Sequence, residues 1–269
     1  MKFNLKHIFA VAVTASALIL SGCGDKEQDQ NTIKVGVMAG AEAQVAEIAA
    51  KVAKDKYGLD VELITFTDYV TPNAALDDGS VDVNAFQHKP YLDQQIKDRS
   101  YKLAIAGNTF VYPIAGYSKK IKSLDELKEG DRIAVPNDPT NLGRSLLLLQ
   151  QQGLIELSKD SGLQATVRDI TANPKKIKIV ELEAAQLTRS LDDMELAIIN
   201  TTFASSIDLS PQRDGIFVED KESPYTNLIV AREDNINNEN VKNFVKAYQT
   251  EEVYQGASEI FKGGVVKGW

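Results

Sequence analysis

Ile33-Lys34-Val35-Gly36-Val37-Met38 reads as a strand, and the helical pattern directly after it decides the fold. Past Gly40, Val45, Ile48, Ala49 and Val52 recur at helical spacing, and Tyr57-Gly58 stops the pattern. The same alternation continues outward. It predicts a strand over 61–66, a short helix after Pro72 closed by Asp77-Asp78-Gly79, a strand over 81–86, a helix from Pro90 to about Arg99, and a strand over 103–106. Strand and helix in turn imply a parallel sheet with helices on both faces.

A second series begins further on, with a strand over 132–136, a helix over 139–152, a strand over 177–182, a helix through Leu191 and a strand over 196–200. Between the two series, residues 108–117 read as extended and contain Pro113 and Gly116. The chain returns through a strand over 225–231, followed by helices from about Val241 that finish at Gly263-Gly264. The expected architecture is α/β with two lobes joined by two extended crossings. Residues 32–112 and 225–269 form lobe 1, and 113–224 form lobe 2. Ligands of open α/β sheets lie at the carboxyl ends of strands, and clefts between lobes are favoured sites.

The amino terminus reads as an export signal. Lys2 and Lys6 precede an apolar run from Ile8 to Leu20, interrupted by Thr14 and Ser16. That run is shorter than the roughly 20 residues a membrane-spanning helix needs. Leu20-Ser21-Gly22-Cys23 follows it and looks like a bacterial lipobox, and Cys23 is the only cysteine of the chain. A lone cysteine has no internal disulfide partner. Placed directly after the apolar run, it suits a thioether acceptor for diacylglycerol, the alternative being a free thiol. Acyl chains on one cysteine would anchor the protein without a protein helix in the membrane. Residues 1–22 are therefore assigned to a lipoprotein signal peptide, and 23–31 to the lipidated cysteine and a polar tether.

The chain has 269 residues, with 30 Lys and Arg against 38 Asp and Glu. Loss of Lys2 and Lys6 with the signal would leave the mature protein more acidic still, which argues against nucleic acid as a partner. Catalysis finds little support. After the signal segment His88 is the only histidine, and there is no nucleophile elbow, phosphate loop or spaced set of metal ligands. A hydrolase working through two carboxylates is the enzyme class that composition alone leaves open.

Three groups of residues could build a binding site. Pro136-Asn137-Asp138-Pro139-Thr140-Asn141-Leu142-Gly143-Arg144 leaves a strand and opens a helix, with Asp138 as N-cap and Pro139 at the first helical position. Arg144 could grip a carboxylate beside the free amides of that helix start, or could be a solvated helix arginine. Val83-Asn84-Ala85-Phe86-Gln87-His88-Lys89-Pro90-Tyr91 puts Phe86, His88 and Tyr91 at a strand end, where they could wall an apolar side chain together with Tyr69. Equally, Phe86 could be ordinary core and His88 partly exposed. Asn200, ahead of Thr201 and Thr202, and Asn227, after Pro224 and Tyr225, end or start strands and could accept hydrogen bonds from an ammonium group.

Together these segments resemble the methionine-binding lipoproteins of the methionine ABC importer, the NlpA lipoprotein family. The resemblance covers nearly the whole chain, through residues 20–23, 84–94, 108–118, 135–149, 199–202 and 218–230, and its runs 85–92 and 135–144 are very specific. It implies a two-lobed periplasmic-binding-protein fold, type II-like, closing on one amino acid. It further implies that Arg144 binds the α-carboxylate, that Asn200 and Asn227 hold the polar end, and that Tyr69, Phe86, His88 and Tyr91 surround the thioether. Thioether sulfur is attracted to aromatic rings, which suits methionine, L or D. One departure is Asp192-Asp193-Met194-Glu195-Leu196, a shorter connection than the family's usual run.

The expected function is a substrate-binding lipoprotein, with no catalytic role, metal or cofactor, that delivers methionine to an ABC permease and its ATPase. It would be a monomer anchored through Cys23 at the inner membrane, facing the periplasm. The competing expectation is a surface lipoprotein with an adhesive or chaperone-like role that retains methionine structurally.

Overall fold

The computed structural model describes residues 31–220 and 223–269. The signal peptide of residues 1–22, and Cys23 with residues 24–30 of the tether, lie outside the described residues. Among the described residues no helix is long and apolar enough to cross a membrane.

Two mixed sheets carry the α/β fold. The six-stranded sheet runs in the order Val266–Lys267, Leu103–Val111, Thr226–Arg232, Val83–His88, Thr32–Met38, Asp60–Phe66. Its amino-terminal part is parallel as the βα alternation requires, with Thr32 opposite Asp60 and Val35 opposite Val83. The returning strand Thr226–Arg232 is inserted antiparallel between Val83–His88 and Leu103–Val111. The sheet is therefore mixed rather than purely parallel. A register shift between Asn227 and Ile229 leaves Asn227 opposite His88, at the carboxyl end of its neighbour.

Helix Ala41–Tyr57 buries Val45, Ala46, Ala49, Val52 and Ala53 against one face of this sheet, where Phe244 and Val253 of two later helices complete the core. The helix stops because Gly58 takes the left-handed conformation, φ +64°, and its N–H bonds back to the carbonyls of Ala53 and Lys54. Leu76, Leu92, Leu103 and Val230 fill the other face.

The five-stranded sheet runs in the order Phe217–Val218, Ala115–Tyr117, Leu196–Ile199, Arg132–Pro136, Lys178–Leu182. Arg132–Pro136 is parallel to both its neighbours, and Ala115–Tyr117 is antiparallel to both of its own. Helix Pro139–Gln151 packs Leu142, Leu146 and Leu149 onto Ile133, Val135 and Ile198. A third apolar cluster holds Met38, Phe86 and Tyr91 of the first series with Tyr117, Leu187, Ile199 and Phe203 of the second. The carboxyl ends of the parallel strands thus share one apolar neighbourhood. This is a two-lobed periplasmic-binding-protein fold.

Buried polar links join elements of the two series. Glu42, in the first turn of helix Ala41–Tyr57, accepts a hydrogen bond from the hydroxyl of Thr202 in helix Thr201–Ser205, and both residues are buried. Burial pushes the Glu42 carboxyl up to about 8, against the opposing effect of the Thr202 bond. The folded protein therefore keeps this proton to about pH 8, whereas the unfolded chain releases it near 4.5. The associated stability is complete below pH 4.5 and is lost as pH rises towards 8.

Urea unfolding should show wild-type stability falling between pH 5 and pH 8 relative to Glu42→Gln, which has no proton to release; a difference that stays constant with pH would contradict this. Separately, a Cβ on Gly143 would lie 2.3 Å from the Leu163 carbonyl oxygen and 3.0 Å from the Ala165 nitrogen. Gly143→Ala should then destabilise by about 1–3 kcal/mol through overpacking, seen as a lower urea midpoint; an unchanged midpoint would show that the 163–165 segment yields freely.

Candidate functional site

The strand Val83–His88 ends where Pro90, second residue of helix Lys89–Arg99, has no N–H to continue a ladder. His88 caps that helix, its Nδ1 accepting from the Tyr91 N–H at 3.2 Å. On the facing series, Asp138 caps helix Pro139–Gln151 by accepting from the Asn141 N–H at 2.9 Å. These two helix starts, with the strand ends at Asn200 and Asn227, bound one cavity.

All of the proposed ligand-binding residues, Tyr69, Phe86, His88, Tyr91, Arg144, Asn200 and Asn227, line this one cavity. Its apolar end is aromatic. The Tyr69 and Phe86 ring centres are 5.9 Å apart, Phe86 and Tyr91 meet edge to face at 6.0 Å, and Phe203 closes on Tyr69 at 4.9 Å. Tyr69 is held in place from two sides. Asp68 Oδ1 accepts from the Val70 and Thr71 N–H groups at 2.7 and 2.8 Å, and the Tyr91 hydroxyl donates to the Tyr69 carbonyl at 2.7 Å. Behind this wall Asn73, Asn84 and Gln87 form a fully buried amide network, with Asn73 Nδ2 donating to Gln87 Oε1 at 2.8 Å and Asn84 Nδ2 to Asn73 Oδ1 at 2.9 Å. It fastens the helix Thr71–Asp77 onto the strand that carries Phe86 and His88.

The polar end is organised by Arg144, which is only 3% exposed and so not the solvated helix arginine that spacing also allowed. Its Nε and Nη2 donate to Glu219 Oε1 and Oε2 at 2.8 and 2.5 Å, and Nη2 also donates to the Tyr112 carbonyl at 3.0 Å. The guanidinium lies over the Tyr225 ring, 4.3 Å from its centre. Its Nη1 has no hydrogen-bond partner among the described residues.

His88 is 5% exposed, and burial together with the Arg144 charge lowers its pKa to about 3. It is a neutral imidazole at working pH, and its Nε2 lies 3.3 Å from Asn141 Oδ1. Asn200 Nδ2 donates to the same oxygen at 2.9 Å. Among the described residues Asn200 Oδ1 is left buried without a partner, while Asn227 Nδ2 donates to the Phe86 carbonyl at 3.0 Å. Among the described residues no group of His, Cys, Asp and Glu side chains could hold a metal ion.

Several contributors escaped the sequence reading. Asn141 sat within the segment taken as a helix start, but its side chain gave no sign of reaching His88 and Asn200. Phe203, three residues beyond Asn200, could have been found by continuing the helical spacing into the cleft. Glu219 carries no local signal, because its partner is 75 residues away in the chain.

The chain matches the family model for NlpA lipoprotein over residues 33–269. It is 75% identical, over the whole of both chains, to a Vibrio cholerae protein named "Probable D-methionine-binding lipoprotein MetQ". Among solved structures it is similar to the methionine-binding protein MetQ, with 71% identity, a TM-score of 0.89, and coverage of 90% of this chain and 99% of that one. It is also similar to a nutrient-binding protein from Burkholderia cenocepacia bound to methionine, with 51% identity, a TM-score of 0.86, and coverage of 88% of this chain and all of the other. With a family model spanning nearly its full length and a full-length relative this similar, the chain belongs to the NlpA lipoprotein family.

Proposed function

We propose that the protein captures methionine in the cavity between its two sheets and delivers it to an ABC importer, acting as a binding protein and not as an enzyme. The observation that carries this reading is the division of the cavity into an aromatic end and a polar end whose protein charges cancel. Arg144 is already matched by Glu219, so the site is electrically neutral before a ligand arrives. Burying a net charge there would be costly, whereas a zwitterion brings none. Its carboxylate can take the uncommitted Nη1 of Arg144, and its ammonium the amide oxygens of Asn200 and Asn227. Tyr69, Phe86 and Tyr91 would then surround the thioether, with Phe203 behind Tyr69, where sulfur–aromatic contacts contribute about 0.3–1.5 kcal/mol each. His88 contributes its ring edge to the same wall.

In this reading the two lobes are residues 32–112 with 225–269, and 113–224, closing on the ligand about the crossings near Tyr112 and Glu219. Lipidation at Cys23 would tether the chain to the inner membrane on its periplasmic side, as a monomer serving a permease and its ATPase. The relatives named as D-methionine-binding lipoproteins, and a similar solved structure from Coxiella burnetii named as an ABC transporter periplasmic substrate-binding protein, support the importer reading.

Calorimetric titration of the ligand-stripped protein with L- and D-methionine tests the assignment. Arg144→Ala removes the carboxylate's partner and leaves the half-buried Glu219 without its own, an expected loss of about 3–5 kcal/mol, or at least about a hundredfold in Kd. A near-normal dissociation constant for that variant would contradict the assignment.

A further inference from the structure

Asn200 presents its side-chain oxygen to the cavity because its neighbours leave no other arrangement. An amide side chain can be turned over with little change in shape, so which end faces a ligand depends on what the other end is bonded to. Here the chain of bonds is anchored at two groups that cannot be reversed. One is the Asp138 carboxylate, which can only accept, and to which Asn141 Nδ2 donates at 3.1 and 3.0 Å. The other is the backbone N–H of Tyr91, which can only donate, and which occupies His88 Nδ1 at 3.2 Å.

From the first anchor, Asn141 must turn its oxygen away from Asp138 and towards His88 and Asn200. From the second, the neutral His88 ring must carry its proton on Nε2, which faces Asn141 Oδ1 at 3.3 Å as a donor. Both constraints make Asn141 Oδ1 an acceptor, so Asn200 must offer it an N–H, at 2.9 Å. The Asn200 oxygen then points into the cavity, buried and without a partner among the described residues.

We propose that His88 and Asp138 are positioning residues which, through Asn141, fix Asn200 with its amide oxygen towards the cavity and so make the site selective for a ligand that carries an amine there. This rests on the amino-acid reading of the site and names what enforces it. An acceptor held unpaired in a buried site stabilises a ligand that donates to it and disfavours one that cannot, because the oxygen then stays both desolvated and unbonded. If the chain of bonds is cut, Asn200 can turn over and present its NH2 instead, and the preference weakens.

The experiment is calorimetric titration with methionine and with desaminomethionine, the same thioether acid with hydrogen in place of the amine. The wild-type protein should prefer methionine by about a hundredfold or more. His88→Phe keeps a ring but no donor, and Asp138→Asn keeps a helix cap but replaces the acceptor-only anchor with an amide that can itself turn. Each of these changes alone leaves the other anchor to orient Asn141 and should keep most of the preference; in the double variant the preference should fall about tenfold or more, methionine losing more affinity than desaminomethionine. Pairing Asp138→Asn with His88→Gln, which can still offer an N–H towards Asn141, should recover most of it. Asn141→Ala removes the link itself and, with the same expected fall, is the second test should the double variant fail to fold.

If both ligands weaken equally in every folded variant, or if the preference is unchanged in the double variant or in Asn141→Ala, the positioning role is wrong while the amino-acid site stands. If the wild-type protein binds no methionine at all, the reading of the site fails and the inference falls with it.

Discussion

A guanidinium that is 3% exposed must be matched by a carboxylate or it would oppose folding by several kcal/mol, and in this protein that requirement ties together the places where the chain passes between its two sheets. Arg144 projects from helix Pro139–Gln151 of the second series. It donates to the carbonyl of Tyr112, where the first crossing leaves the six-stranded sheet, and to Glu219, where the second crossing leaves the five-stranded one. It also stacks on Tyr225 just before the returning strand. The two crossings are bonded to each other at the same point, Glu219 N–H donating to the Ile114 carbonyl at 2.9 Å. One side chain therefore holds both connections and still presents a free edge to the cavity.

In the proposed reading, a ligand's carboxylate would meet the same groups that hold the crossings, so binding and the position of the crossings would be coupled. The Glu42–Thr202 bond and the Tyr69–Phe203 contact add further ties between the series on the cavity's other flank.

Much of the fold was legible because its signals are local. The alternation of apolar runs with helical spacing placed the strands at 33–38, 61–66 and 132–136 close to where they stand, and Pro139 and Pro90 marked helix starts. Residues proposed for the site came together because strand ends and helix starts converge in this architecture whatever the details. What stayed hidden depended on distant partners. Nothing near 226–232 shows that this strand enters its sheet antiparallel, since direction is set by where the crossing delivers the chain. The sequence pattern alone allowed Arg144 to be solvated, and only burial against Tyr112, Glu219 and Tyr225 decides otherwise. His88 read as a wall residue, and its bonds to Tyr91 and Asn141 give it a second task that residue type alone does not announce.

The most direct test of the account is a crystal structure of the protein with methionine bound. The account predicts the carboxylate on Arg144 with the Glu219 pair retained, the ammonium within hydrogen-bond distance of the Asn200 and Asn227 side-chain oxygens, and the thioether among Tyr69, Phe86 and Tyr91. Methionine bound in the reverse orientation, or outside this cavity, would contradict it.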